Sequence, residues 1–236
     1  MFDYGLLIKV LLVLAGVAIA IIKFRSGPSK AVIKKYDSAY KILLDGAFKE
    51  DEKSYKKLVI ASIYWDRLQF EKAHKILDEL LSKCTCTKDY LTVYTIKGIC
   101  YARADRNEPL VETYKKMLQY DAANAQTWSN LGWAYLKMGN TVDAKEALLK
   151  ALSYDSENPL AYNNMATFYF KTAEPELALE YAKKTMEMAP ELYQPYSAAA
   201  IACKMLGDEE NAKRYASEYV NKGGDKKKVE QALAFI

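Results

Sequence analysis

The sequence predicts an all-α fold, a solenoid of paired helices preceded by one N-terminal transmembrane helix. Three observations predict it: aromatic and small residues recur every 34 residues, residues 6–22 are almost entirely apolar, and proline and glycine fall between helical segments. A fixed period of this size indicates stacked pairs of elements rather than a single globular core. The composition, 51% hydrophobic and 27% charged over 236 residues, is that of an ordinary folded chain.

Residues 1–25 are predicted to form a membrane anchor. The apolar run at 6–22 contains one charged residue, Lys9, and its 17 residues reach the lower limit for a helix that crosses a bilayer. A cleaved signal peptide is the rival interpretation, but its basic leading segment and its cleavage site of small residues are both missing. We therefore expect an uncleaved anchor, with the lipid bilayer as its partner.

The charges beside the apolar run predict its orientation. Asp3 precedes the run, whereas five cations follow it within residues 23–35. The positive-inside rule then predicts a single-pass membrane protein whose C-terminal part lies on the cytoplasmic side. The same cations either also bind an anionic leaflet or serve as a topology signal alone, and the sequence leaves both interpretations open.

Residues 26–53 are predicted to contain a hinge and a lone amphipathic helix. Pro28 marks the hinge. Within residues 30–46 the apolar side chains, among them Ile33, Tyr36 and Leu43, share one side of a helix. Ala39 precedes Ala73 by 34 residues, so this helix is expected to occupy the second-helix register of a truncated first repeat.

The strongest signal in the chain is an internal repeat. Two sets of residues each recur at intervals of 34, namely Trp128, Tyr162 and Tyr196, and Ala144, Ala178 and Ala212. After Trp128 come Leu131, Gly132 and Tyr135, in the spacing W-x2-L-G-x2-Y, and then the small residue Ala144. This pattern closely resembles the tetratricopeptide repeat, a unit of two antiparallel helices.

The resemblance covers residues 54 to about 224 and implies about five repeats. Their approximate bounds are 54–90, 91–124, 125–158, 159–192 and 193–224, and residues 225–236 are expected to form a helix that caps the last repeat. In the central repeat the helices are expected at 126–138 and 142–154, with Gly139 ending the first one in a left-handed conformation. Gly132 and Ala144 are expected to be small because the two helices touch there.

In the tetratricopeptide family the first helices of the repeats line a concave face, on which an extended peptide or a partner helix usually lies. The resemblance therefore implies a protein or peptide partner. Carried over by register, the candidate groove residues are Arg103, Gln126, Ser129, Trp133, Lys137, Asn163, Asn164, Thr167, Phe170, Lys171, Gln194, Ser197, Ile201 and Lys204.

Four of these candidates are cations, and their successive spacings are 34, 34 and 33 residues. One hypothesis is that they capture an acidic segment or a C-terminal carboxylate, with the amides of Asn163 and Asn164 as donors. The other is a row of solvated lysines that only keeps the surface soluble. The sequence does not decide between them.

The residues do not favour an enzyme. The chain has a single histidine, His74, and it lacks glycine-rich phosphate loops and a nucleophile motif with a supporting base. We expect His74 to be a partly exposed helix residue, and we expect no cofactor and no small-molecule substrate. A net charge of +4 does not indicate a nucleic-acid partner.

The cysteines indicate free thiols in a reducing compartment, since they show no paired framework. They are Cys84, Cys86, Cys100 and Cys203. Cys84 and Cys86 form a C-x-C pair, but the usual zinc signatures are missing, so no metal site is expected.

Two hypotheses of function remain. The first is a membrane-anchored scaffold or adaptor that recruits a partner through the groove. The alternative is a structural or assembly subunit of a membrane protein complex, which uses residues 30–45 and the anchor as contact surfaces. The fold hosts many unrelated interactions, so the sequence does not identify the partner.

Overall fold

Helices make up most of residues 30–234, the part of the chain that the computed structural model describes. Twelve α-helices lie in this range. They are α1 (Lys30–Leu44), α2 (Glu52–Asp66), α3 (Phe70–Leu81), α4 (Thr87–Arg103), α5 (Asn107–Tyr120), α6 (Ala125–Lys137), α7 (Thr141–Tyr154), α8 (Pro159–Lys171), α9 (Pro175–Met188), α10 (Gln194–Met205), α11 (Glu209–Asn221) and α12 (Lys226–Ala234). None of the residues from 30 to 234 lies in a strand, so the all-α prediction is confirmed for them.

The predicted anchor, residues 1–25, lies outside the described residues. Between residues 30 and 234, no helix has both the length and the apolar composition that a bilayer span requires. The chain forms two compact units, which divide between Arg106 and Asn107. The first unit contains α1–α4 and the second contains α5–α12, so the predicted repeat at 91–124 is divided between them.

Helix α1 packs against α2 in the first unit. Tyr36 is buried on this contact, and its hydroxyl donates a hydrogen bond to the Asp66 carboxylate at 2.7 Å. Leu44, Leu58 and Leu77 are fully buried in the same core cluster. The apolar side of α1 is therefore covered by its own chain.

A buried carboxylate holds the segment that precedes α4. The Asp89 side chain accepts hydrogen bonds from the backbone N–H groups of Phe48 at 2.7 Å and Thr85 at 3.0 Å. Burial alone would raise the pKa of the Asp89 carboxyl, but these hydrogen bonds outweigh it and hold the pKa below its ordinary value of 3.8. Asp89 thus ties two loops of the first unit together in its ionised form.

The central repeat of the second unit forms as the sequence predicts, with each helix starting one residue early. A Cβ placed on Gly132 would lie 2.7 Å from the Leu148 side chain and 3.2 Å from the Ala144 carbonyl oxygen. A Cβ at the shorter distance would force the Leu148 side chain to shift, and that side chain is fully buried, so glycine is favoured where α6 and α7 cross. The predicted contact between Gly132 and Ala144 is confirmed.

The ends of the helices repeat as regularly as their cores. Residues with positive φ occur at Asp105, Gly139, Ala173 and Gly207, at 52°, 76°, 59° and 77°, and each follows the first helix of a predicted repeat. Their spacing is 34 residues throughout. This left-handed residue ends each first helix and turns the chain into the second, as Gly139 was predicted to do.

Asparagine caps start the first helices in the middle of the second unit. The side chain of Asn124 accepts from the Thr127 N–H at 2.8 Å, and that of Asn158 accepts from the Ala161 N–H at 3.0 Å. Such a cap satisfies a donor that a helix start leaves without a partner. At the other end of the array, α12 buries Val229 in a cluster with Ala200 and Tyr219, in the position expected for a capping helix.

Candidate protein-binding groove

Helices α6, α8 and α10 are the first helices of three successive predicted repeats, and neighbours within this set contact each other. Because the repeats follow one another at 34 residues, equivalent positions on these helices form rows. We call the predicted groove residues that remain at least partly exposed on them the first-helix face. Its members are Gln126, Trp133, Lys137, Asn163, Thr167, Phe170, Lys171, Gln194, Ser197, Ile201 and Lys204.

On α6 the first-helix face presents an aromatic ring beside a cation. Trp133 is half-buried, and the Lys137 ammonium lies 5.8 Å from the centroid of its ring. A cation at this distance is attracted to the ring by about 0.5–1 kcal/mol at an exposed site. Near the start of the helix, the Gln126 amide donates to the Asn130 side chain at 3.3 Å.

On α8 the residues in register with Trp133 and Lys137 are Thr167 and Lys171. Asn163 and Thr167 are half-buried, and the Thr167 hydroxyl donates to the Asn163 carbonyl at 3.2 Å. Phe170 is half-buried and Lys171 is exposed. Each of these two successive helices therefore ends in an exposed lysine and carries a half-buried aromatic side chain within its last five residues.

On α10 the cation is already engaged. The Lys204 ammonium forms an ion pair with the Glu209 carboxylate across the turn to α11. The hydrogen bond from Lys204 lowers the pKa of the Glu209 carboxyl. Gln194 is exposed, while Ser197 and Ile201 are half-buried. The charge of Lys204 is therefore compensated by Glu209, whereas the sequence analysis treated Lys204 as a cation available to a ligand.

Two predicted groove residues, Ser129 and Asn164, are buried instead. Their exposed fractions are 0% and 2%. The Asn164 amide donates to both the carbonyl and the hydroxyl oxygen of Ser129, each at 3.1 Å. This pair joins α6 to α8 and satisfies polar groups that burial would otherwise leave without partners. The prediction that Asn164 donates to a ligand is therefore wrong for this structure.

Arg103 lies at the end of α4, in the first unit. It is exposed, and its guanidinium lies 5.4 Å from the centroid of the Trp65 ring. A row of four cations that starts at Arg103 stays a prediction. Within the second unit, Lys137 and Lys171 are its exposed members.

Sequence reasoning missed the partner of Lys204 and misjudged His74. Glu209 follows Lys204 by five residues, at the start of the next helix, and that spacing across a short turn was the available signal. His74 is buried rather than partly exposed, because its ring stacks on Tyr101 with centroids 4.2 Å apart. Burial, and then the charge of Lys97, lower the pKa of the imidazole, so it is neutral near pH 7.

The described residues hold no group of three or more His, Cys, Asp or Glu side chains arranged to bind a metal ion. All four cysteines are free thiols, and Cys100 and Cys203 are buried. Burial raises the pKa of Cys84 and of Cys100 to about 12, which leaves both protonated and unreactive near neutral pH.

Comparison with known proteins agrees with the fold. Residues 125–158 match the family model of the tetratricopeptide repeat. No curated protein matches the sequence.

Several solved structures share the fold. A crystal structure of MamA has a TM-score of 0.57 at 20% identity, and the match covers 69% of this chain and 94% of that one. MamA from Desulfovibrio magneticus has a TM-score of 0.59 at 16% identity, with 72% and 95% covered. YrrB, described as a TPR protein with an unusual peptide-binding site, has a TM-score of 0.54 at 16% identity, with 85% and 98% covered. At these identities the likeness shows the fold, a tetratricopeptide-type helical array.

Proposed function

From the premise of a tetratricopeptide-repeat protein, we propose that this chain is a non-enzymatic scaffold that binds an extended segment of a partner protein along the first-helix face. The observation that carries the proposal is that two successive first helices each end in an exposed lysine and carry a half-buried aromatic side chain near that end. These residues are Trp133 and Lys137 on α6 and Phe170 and Lys171 on α8. Aromatic side chains are enriched at protein interfaces, and the exposed lysines beside them can bind carboxylates.

The charge on this face favours an acidic ligand. Lys137 and Lys171 stand 34 residues apart at equivalent positions of α6 and α8. A segment with acidic side chains or a free C-terminal carboxylate would form charge-assisted hydrogen bonds to both. YrrB lends support, since a protein of the same fold is described by its peptide-binding site.

We also propose that residues 6–22 anchor the chain in a bilayer, with the array on the cytoplasmic side. The support is the apolar run and the cations at residues 23–35. The full chain should stay in membranes after carbonate extraction, and protease added to sealed cells should leave the array intact. Release by carbonate would contradict the anchor, and digestion in sealed cells would contradict the orientation.

The assembly-subunit alternative uses residues 30–45 and the anchor as contact surfaces. In the structure Tyr36 and Leu44 are buried against the first unit, so the apolar side of this helix is already used. Purification from detergent still separates the two functions. A stoichiometric integral-membrane companion would favour the subunit, and soluble proteins released by salt would favour the scaffold.

Charge reversal tests the first-helix face. The double variant Lys137→Glu/Lys171→Glu should bind a fluorescein-labelled acidic peptide with a free C-terminus at least about tenfold more weakly, since two charge-assisted contacts become repulsive. Fluorescence anisotropy at low and high salt measures the affinity. The matched control is Lys145→Glu/Lys183→Glu, which places the same charge change on exposed lysines of α7 and α9. Equal weakening in both double variants, or no loss in the first, would remove the proposal.

A further inference from the structure

A cleft of about 380 Å³ opens between α5, α6 and α7 in the second unit. Its walls are the half-buried rings of Trp128 and Tyr135, and its base includes the buried Ala147. The ammonium groups of Lys115 and Lys150 belong to its rim. None of these residues belongs to the first-helix face, so the cleft is a separate surface.

The next repeat shows what fills this space elsewhere in the array. Tyr162 and Tyr169 stand 34 residues after the two wall residues, and Tyr181 stands 34 residues after Ala147. The Tyr181 ring lies 5.7 Å from the Tyr162 ring and 5.1 Å from the Tyr169 ring, measured between centroids. A chain residue thus supplies a third ring at the position where the cleft has only a methyl group.

The two repeats differ because the large and the small side chain of two adjacent positions are swapped between them. In α7 the pair is Ala147-Leu148, and Leu148 packs against Gly132, which leaves room for it by having no side chain. In α9 the pair is Tyr181-Ala182, where Ala182 is the small member and the ring moves one position earlier. In α7 the large side chain is therefore Leu148, and the position equivalent to the Tyr181 ring is empty.

The charges around the cleft match those around the ring of the next repeat. Lys184 lies 5.5 Å from the Tyr181 ring centroid and 2.9 Å from Glu180. At the equivalent position, Lys150 lies 2.9 Å from Glu146 and 4.6 Å from the Trp128 ring centroid. In both repeats, therefore, a lysine ammonium lies within cation–π distance of an aromatic ring.

The lining of the cleft carries no net charge. Lys115 and Lys150 are balanced by the carboxylates of Asp143 and Glu146. A neutral ligand with an electron-rich face complements these two lysines and two carboxylates better than an ion does. An ion of either sign would be repelled by the lining residues of the same sign.

We propose that the cleft between Trp128 and Tyr135 is a binding site for a tyrosine side chain of a partner protein, which takes the position that Tyr181 occupies in the next repeat. Edge and offset contacts with the two wall rings and the cation of Lys150 would hold it. The site would give the scaffold a second point of attachment, between α5, α6 and α7.

N-acetyl-tyrosinamide is the probe for this site. The indole N–H of Trp128 donates to the Ala122 carbonyl at 2.8 Å, so its NMR resonance reports on the cleft. Titration into the full chain should shift this resonance saturably, and N-acetyl-leucinamide should shift it at least several-fold less. The resonance is assigned with Trp128→Phe. Absence of a saturable shift with the tyrosine compound, or an equal shift with the leucine compound, would overturn the proposal.

Two variants test the position of the ring. Ala147→Tyr supplies the ring from the chain and should abolish the shift, and Ala147→Met serves the same purpose if the first variant does not fold. Tyr181→Ala should open an equivalent space and add a second set of shifts near Tyr162. Retention of the Trp128 shift in a folded Ala147→Tyr variant would contradict the site. The result is independent of the acidic-peptide experiment, since that one changes only Lys137 and Lys171.

Discussion

Asp89 shows how one carboxylate organises the first unit. It is 2% exposed and accepts from the Phe48 and Thr85 backbones. Asp89→Asn replaces an acceptor oxygen with an amide NH2 group that would face backbone N–H donors, so we expect a loss of about 1–3 kcal/mol in the free energy of unfolding at pH 7. Urea denaturation measures it. Glu71→Gln, at an exposed ion pair, is the control and should change stability by less than about 0.5 kcal/mol.

The same residue predicts a pH dependence. The pKa of the Asp89 carboxyl is lower in the folded chain than its ordinary value of 3.8, so its stabilising contribution is complete above that pH and is lost as the pH falls through the folded-state pKa. The stability difference between the native chain and Asp89→Asn should therefore shrink in acid. A difference that stays constant from pH 7 to pH 2 would contradict the assignment of ionised Asp89 as the acceptor.

At the scale of residues, the sequence predicted positions better than environments. Register placed Ser129 and Asn164 on the first helices, but it did not show that they face the helix of the adjacent repeat. Burial depends on how each helix is rotated about its axis. A rotation by the angle between successive residues turns a side chain away from the ligand-binding face and toward the adjacent helix. The pair Lys204–Glu209 was missed because it spans a turn between helices.

At the scale of helices, the left-handed turn residue makes the clearest prediction. Ala173 has φ of 59° and Gly139 has φ of 76°, at equivalent turns. A left-handed conformation costs a residue with a Cβ about 1 kcal/mol, and glycine avoids this cost. Ala173→Gly should therefore stabilise the chain and Gly139→Ala should destabilise it, each by up to about 1 kcal/mol.

Thermal or urea unfolding of the two variants checks this pair, and each serves as the control for the other. Space does not limit Gly139→Ala, since no neighbouring atom lies within 4 Å of the added Cβ. If both substitutions shift stability in the same direction, helix-end conformation is not the cause.

Helix positions were predictable from the sequence because caps, turns and small residues repeat together. Asn124 and Asn158 start helices, and Gly139 ends one, where the pattern predicts. The empty ring position at Ala147 was not predicted, since Trp128 and Tyr135 read as core side chains. Comparing Ala147-Leu148 with Tyr181-Ala182 was the signal that would have indicated it.

At the scale of the whole molecule, the cores are local. Leu77 is fully buried in a cluster of the first unit, and Leu148 is fully buried in a cluster of the second. Leu77→Ala should remove about 2–5 kcal/mol of stability from the region around it. Since each repeat in such an array contacts only its neighbours, hydrogen exchange should accelerate in α2–α4 and stay unchanged in α10–α12.

Leu148→Ala is the reciprocal control, and it should accelerate exchange in α6–α8 while sparing α2. Uniform acceleration along the chain in either variant would show a single cooperative unit instead of local stability. The repeated spacing predicted the array itself from sequence alone. It did not predict the division between Arg106 and Asn107, because that depends on contacts between helices and not on the period.

The buried bond from Asn164 to Ser129 has a consequence for the kinetics of recognition. It fixes the separation of α6 and α8 before any ligand arrives, with both oxygen acceptors already engaged at 3.1 Å. A segment laid across these helices would find a rigid template, so the loss of conformational freedom on association would fall mainly on the incoming peptide. Stiffening that peptide in its bound shape should then slow its dissociation more than any further ordering of the protein does.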